Sequence, residues 1–505
     1  MPKLFDLLPD NTKKELLSEA RKPLAAKTHK KKVSNDKTDL KKETPAALEI
    51  PDFIAFDLET TGLDFKNDRI IEIGAVRFIN GKPQEQFSTF VNPGKLVPSI
   101  ITDLTGISDN DVATAPSFSQ IAEKLIQFIG NLPLCGHQVE FDATFLNEEL
   151  KKISHPVFSG QLLDTALLSR IILQENTRFS LKAVSEHLQI NLDNAHRALF
   201  DAMASGEVAV QLVKKITGLS LHIRQTIAAC APGSLFKSLI IKSLNGNRAQ
   251  VLLQIHKQEV AASRLQEPEN YLPIDKNTIA QIFSDTGKLK TTLDGFTPRI
   301  SQTDMALQVT DTLNTNSILI AEAGTGTGKS LAYLLPSGQW AIENNCRILI
   351  CTRTRNLQDQ LIIKDLPLVK KLLGEKLKYS VLKGRNNYIC VNRWEKLLKG
   401  ETGNLSPRER FAILPLIPWV ERTKTGDIEE QNQFNPKWFS RIWNVISAES
   451  HECAGRRCAQ FQNCFFQRAR QQALASNLVI INHALFFFRI VFRIFIFGQD
   501  RHHYF

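Results

Sequence analysis

Apolar positions gather into short runs from Pro51 onward. Phe53-Ile54-Ala55-Phe56 is an unbroken apolar stretch that predicts a strand, and Ile70 to Phe78 and Phe87 to Val91 predict two more. The period then changes. Apolar residues recur at three- and four-residue intervals over Phe118 to Ile129 and again over Ala143 to Lys152, which predicts helices. Strands followed by mixed helices and strands predict an α/β domain ending near Lys215. Residues 216–292 alternate helix and loop patterns. A second α/β pattern begins near Phe296, where Ser317-Ile318-Leu319-Ile320-Ala321 reads as a buried strand with a helix following from Leu331. No internal repeat is evident.

At 505 residues the chain is long enough for two or three domains. The texture places boundaries at 1–50, 51–212, 213–292 and 293–505. The first segment is a tail: Lys27 to Lys42 holds seven lysines against two aspartates and few large apolar residues, a disordered composition. Residues 213–292 serve as a connector. The net charge of +11 favours a polyanionic partner such as nucleic acid, although the same balance fits plain solubility. Met1 to Lys22 has no apolar core of a secretory signal. The late apolar run from Val479 to Phe497 is interrupted by Asn482, His483, Arg489 and Arg493, so no membrane span is expected. Eight cysteines in such a chain are expected to be reduced or metal-bound, and the cytoplasm is the natural setting.

The first α/β domain carries an acidic constellation. Asp57 and Glu59 lie at the end of the first strand, two residues apart, so both point to one face and can meet one cation. Asp142 opens a later helix. His196 and Asp201 are five apart, close to a turn and a half of helix, and share a site if that helix faces it. Four carboxylates and a histidine suit a two-metal phosphodiester hydrolase, and hard oxygen ligands favour Mg²⁺ or Mn²⁺. Each residue taken singly is weak evidence, since Asp-x-Glu occurs by chance in most proteins.

Taken together, Phe56-Asp57-Leu58-Glu59-Thr60-Thr61-Gly62, Leu104-Thr105-Gly106-Ile107, Gly136-His137-Gln138-Val139-Glu140-Phe141-Asp142 and His196-Arg197-Ala198-Leu199-Phe200-Asp201-Ala202 follow one another in a known order. They resemble the motifs of DnaQ-like DEDDh 3′-5′ exonucleases. The resemblance implies a ribonuclease H-like fold over 51–212 and a role for each residue. Asp57 would bridge two metal ions, Glu59 and Asp201 would complete the first site, and Asp142 would hold the second. His196 would act as general base, while Thr60 and the Leu104–Ile107 loop would cradle the terminal nucleotide. Gln138 departs from the family, which usually has Asn there. Asp164 also matches a family position, and a structural cap explains it equally well.

The second α/β pattern carries a phosphate loop, Ala323-Gly324-Thr325-Gly326-Thr327-Gly328-Lys329-Ser330, with alanine in the first glycine's place. Gly324, Gly326 and Gly328 would let backbone amides wrap the phosphates of ATP. Lys329 would neutralise the β/γ oxygens, and the Ser330 hydroxyl would ligate magnesium. Arg299-x-x-Gln302-x-x-Met305 resembles the adenine-reading segment of DinG/XPD-type helicases, and Thr352 to Leu361 resembles their next DNA-contacting motif. Lys383 to Cys390 resembles the entry to their iron–sulfur insertion. Cys390, Cys453, Cys458 and Cys464 supply four thiolates, which hold either a [4Fe–4S] cluster or zinc; the surrounding motifs favour the cluster, with inert cysteines as the bland alternative.

In that family an acidic box follows the segment resembling Asn482-His483-Ala484-Leu485. From Cys453 onward the only carboxylate here is Asp500, so residues 293–505 are expected to form an incomplete RecA-like P-loop domain with a cysteine-bearing insertion, truncated before that box. The Phe- and Ile-rich run Phe486 to Phe497 is read as the product of truncation or a shifted frame. The leading expectation is a metal-dependent 3′-5′ exonuclease acting on single-stranded or 3′ ends of DNA, in replication or repair, alongside replication or repair proteins. RNA presents the same phosphodiester and stays open. An ATP-dependent DNA helicase with an auxiliary nuclease, and a non-catalytic DNA-binding module, are the alternatives.

Overall fold

The computed structural model describes residues 48–192, 195–255, 265, 268–324, 326–449, 451–492 and 503–504. The expected tail lies outside them apart from its last three residues, as does the end of the Phe-rich run. The chain divides into two compact units. One runs through Leu253 and takes in Leu405–Trp419 and Gln431–Asn435; the other comprises the remainder from Gln254. Among the described residues no helix is long and apolar enough to cross a membrane.

The first unit is built on a five-stranded mixed sheet, with β1 Phe53–Thr60, β2 Ile70–Ile79, β3 Lys82–Phe90, β4 Leu134–Gly136 and β5 Leu162–Asp164 in the order β3-β2-β1-β4-β5. β1 pairs antiparallel with β2 and parallel with β4, and β4 pairs parallel with β5. The central place of β1 explains its unbroken apolar start, because a strand covered on both faces has no solvent side to alternate with. On one face Ile54, Phe56 and Leu58 pack with Phe118 and Leu125 of helix α1 (Phe118–Ile129) and with Phe145 and Leu146 of α2 (Val139–Lys152). Asp57 and Glu59 alternate to the other face, against which α4 (Ala198–Lys215) lies after α3 (Thr165–Ile172). Helix α1 starts at a reciprocal cap, in which Gln120 accepts the Ser117 amide at 2.7 Å.

β3 begins five residues earlier than its apolar pattern suggested. Its first half, Lys82-Pro83-Gln84-Glu85-Gln86, is an exposed edge with no apolar face to read. Pairing with β2 is set instead by the Asn80-Gly81 turn, where both residues have positive φ (51° and 72°), the geometry that matches strand twist in a two-residue hairpin.

The second unit holds a parallel sheet of β6 Ile348–Thr352, β7 Tyr379–Val381, β8 Leu478–Asn482 and β9 His503–Tyr504, in the order β7-β8-β6-β9. Ile348, Ile350, Leu478 and Ile480 pack with Val309 and Leu313 of α5 (Ile300–Thr315) and with Leu334, Leu335 and Trp340 of α6 (Lys329–Glu343). The expected strand at Ser317–Ala321 is not in this sheet. It is irregular chain, with Ile318 and Ile320 91% and 95% exposed. An apolar run becomes a strand only where a sheet edge offers hydrogen bonds, and the two edges of β6 pair with β8 and β9.

Candidate metal centre

Glu59, His196 and Asp201 bring one donor atom each to within 4.8 Å of one another, a set that could hold a metal ion. Glu59 and Asp201 are buried. Glu59 comes from β1, Asp201 from the first turn of α4 and His196 from the chain just before that helix. His196 is not on the helix, contrary to the expected spacing. It precedes Arg197, the residue before the first turn, in left-handed backbone with φ 70°, and its amide donates to Asp201 Oδ2 at 3.4 Å. The two side chains therefore meet by a bend in the chain rather than by helical periodicity.

Asp142 enters from the first turn of α2, and its Oδ1 accepts the Leu58 amide at 3.1 Å. That bond fixes α2 to β1 at the residue between Asp57 and Glu59. Asp57 is half-buried on the same strand face as Glu59. Neither Asp57 nor Asp142 belongs to the set whose donor atoms converge within 4.8 Å. The carboxylates are hard oxygen donors suited to Mg²⁺ or Mn²⁺, and the imidazole is a borderline donor that other divalent ions also accept. The residues present thus fit a divalent metal.

Other motif residues act on the scaffold. Asp164 caps α3 by accepting the Ala166 and Leu167 amides at 2.7 and 3.2 Å, and it also accepts the Gln138 amide at 3.2 Å. Burial pushes its carboxyl up against those three bonds. His137 is spent on Thr165 Oγ1 (3.0 Å) and the Phe179 carbonyl (2.8 Å). Gln138 sits at φ 71°, where Asn is the easier residue.

The pattern of candidates leaves out Glu72 and Gly74. Glu72 is buried and accepts both Arg197 and the Ala198 amide. A Cβ on Gly74 would lie 2.2 Å from the Ala198 carbonyl carbon. The signal was an acid and a glycine placed two apart in a mostly apolar strand, which points them to one face.

In the second unit the phosphate loop is tied to α5. Gln302, buried, donates to the Gly328 carbonyl at 2.9 Å, and Arg299 donates to the Gly326 carbonyl. Lys329 Nζ donates to the Ala323 and Gly324 carbonyls at 2.6 and 2.7 Å, and Ser330 interacts with Tyr333, whose hydroxyl burial pushes up to about 12. Cys390, Cys453, Cys458 and Cys464 carry no disulfide. Burial raises the Cys464 thiol, and Cys390, Cys453 and Cys458 raise it further. Among the described residues their sulfurs do not form a set converging within 4.8 Å.

The exonuclease family RNase_T matches residues 54–209. The chain is 30% identical over 447 residues to the 3′-5′ exonuclease DinG of Bacillus subtilis, an alignment covering 86% of this chain and 47% of that protein. It is 28% identical over 397 residues to the 3′-5′ exonuclease DinG of Staphylococcus epidermidis, covering 76% and 42%. The chain therefore spans under half the length of these relatives. A solved structure of exonuclease X in complex with 5′ overhanging duplex DNA matches 34% of this chain and 95% of its own at 22% identity, with a TM-score of 0.28. Residues 54–209 thus match the exonuclease family, within a chain similar over most of its length to the 3′-5′ exonuclease DinG proteins.

Proposed function

We propose that residues 51–212 hydrolyse DNA from 3′ ends with two divalent metal ions. The observation that carries this reading is the convergence of Glu59, His196 and Asp201 beside Asp57. Asp57, Glu59, Asp142 and Asp201 would hold the ions, which when bound supply an acidified water and charge stabilisation at the leaving oxygen. His196 takes the proton of the attacking water as general base. Its position outside the helix, on a bend tied to Asp201, leaves His196 half-buried beside a buried carboxylate. Thr60, whose hydroxyl donates to the Gly62 carbonyl at 2.6 Å, shapes the turn that receives the terminal nucleotide together with Leu104–Ile107. The names of the DinG relatives support the 3′-5′ polarity; DNA as the polymer and a place in replication or repair are part of the proposal.

Residues 293–505 belong to the same proposal as a nucleotide-binding region of DinG type. Gln302, Gly324, Gly326, Gly328, Lys329 and Ser330 would take ATP, and Cys390, Cys453, Cys458 and Cys464 a [4Fe–4S] cluster. The fastening of Gln302 and Arg299 to the loop backbone supports the first; the second rests on the four cysteines and the motifs around them. The helicase reading draws on those same contacts.

The test is release of nucleotides from 3′-labelled single-stranded DNA, with an RNA strand in parallel, under Mg²⁺ or Mn²⁺. The wild-type chain is expected to shorten DNA from its 3′ end and Asp57→Ala to leave it intact. Equal degradation by both proteins would sink the assignment.

A further inference from the structure

Three strands present one row of side chains on the face that meets α4. Glu59 on β1 stands directly opposite Glu72 on β2, and Glu72 stands directly opposite Phe90 on β3. Residues directly opposite in antiparallel strands share a face and lie within contact reach. The register shift in β1 falls between Glu59 and Thr60, just past this row. Two carboxylates thus sit side by side, one in the metal centre and one outside it.

Arg197 covers the second of them. Its Nε lies 3.2 Å from both Glu72 oxygens and its Nη2 lies 2.9 Å from Oε1. The guanidinium rests 5.3 Å from the Phe90 ring centroid. Glu72 Oε2 also accepts the Ala198 amide at 3.0 Å, one of the donors that a helix start leaves without an intrahelical partner. In the neighbouring row Asp57 faces Gly74. Only hydrogen at that position lets the Ala198 backbone lie on the sheet, since a Cβ would stand 2.2 Å from its carbonyl carbon.

We infer that Glu72 is a positioning residue of the metal centre: engaged by the Arg197 fork and the Ala198 amide, it seats the start of α4 on the sheet so that His196 and Asp201 meet Glu59. His196 is the residue before Arg197, and Asp201 is three residues after Ala198. The seat is therefore bracketed by the two groups it places. It also keeps Glu72 out of the metal's coordination, because its oxygens are already taken by a cation and an amide, and Arg197 offsets its charge beside Glu59. A planar fork suits this better than a point charge.

This inference rests on the proposed metal-dependent nuclease, and the test separates the two. Mn²⁺ binding to the full 505-residue chain is measured by electron paramagnetic resonance without nucleic acid. The Mn²⁺ concentration that half-saturates DNA degradation is measured alongside. Glu72→Ala is expected to weaken both by about 10- to 100-fold, the usual effect of losing a residue that orients metal ligands. Glu72→Gln keeps an acceptor for the Ala198 amide and Arg197→Lys keeps the charge without the fork, so both are expected to fall between. These two preserve volume and carry the test if Glu72→Ala does not fold. A role in stability alone would lower the melting temperature while leaving Mn²⁺ affinity in the folded protein unmoved. Affinities for Glu72→Gln and Arg197→Lys indistinguishable from wild type would overturn the inference. Wild-type degradation that survives Asp57→Ala would overturn the nuclease reading instead.

Discussion

Asp68 shows how one carboxylate supports the turn after the first acidic motif. It accepts the Asp64 amide at 3.0 Å and the Thr61 hydroxyl at 3.1 Å, and it pairs with Lys95 at 3.1 Å. Burial works against its ionisation, yet these partners outweigh burial and hold its pKa below the ordinary 3.8. A group with a depressed folded-state pKa adds stability above its unfolded value and loses it as pH falls through the folded one. Asp68→Asn is therefore expected to lower stability near neutral pH by about 1 kcal/mol. The gap to wild type should close as pH drops below the ordinary carboxylate value. Melting temperatures of both proteins across that range check this; a gap constant with pH would show that charge is not the cause. Motif order singled out Glu59, His196 and Asp201, which the fold brings together, because it carries information that single residues lack. Glu72 was not legible, since an acid inside an apolar strand declares neither its partner nor its purpose until α4 is laid over it.

At the scale of elements, helices were read best. The α1 bounds follow from spacing alone, with Phe118, Ile121, Ala122, Leu125 and Ile129 all buried on one stripe. The strands show why alternation is a weaker guide. β3 has a polar first half that only its hairpin partner can order, while Ser317–Ala321 has the apolar pattern of a strand and lies outside the sheet. The hairpin makes its own prediction. Gly81 holds φ 72° in a turn that fixes the β2–β3 register. Gly81→Ala should cost about 1–2 kcal/mol, the penalty of a left-handed L-residue. Urea unfolding is the measurement, and an unchanged midpoint would mean that the register is set by cross-strand packing instead.

At the scale of the whole molecule, a ligand that binds only the folded chain stabilises it in proportion to its saturation. Mn²⁺ at a hundredfold excess over its dissociation constant should add about 2.7 kcal/mol to the unit that holds Glu59, His196 and Asp201. Thermal scans with Mn²⁺ and with EDTA should differ for wild type and coincide for Asp57→Ala. A shift that persists in Asp57→Ala would place the stabilising ion elsewhere. The chain folds as two compact units whose segments interleave: Leu405–Trp419 and Gln431–Asn435 return to the first. Such returns cannot be read from composition, because a linker and a returning segment look alike until they pack.

By itself the sequence marked the strands around Phe53 and Ile70, the helix Phe118–Ile129, and the motifs that bring Glu59, His196 and Asp201 together. All of these depend on neighbours close in the chain or on motif order. Tertiary structure alone decided that His196 stands outside its helix, that Ser317–Ala321 lies off the sheet, and that Glu72 and Gly74 seat α4 beside Glu59. The seat of α4 turns on contacts between residues far apart in sequence, Glu72 with Arg197 and Ala198. A hydrogen-bond partner or a packing surface supplied from a distance can override what a local pattern prefers.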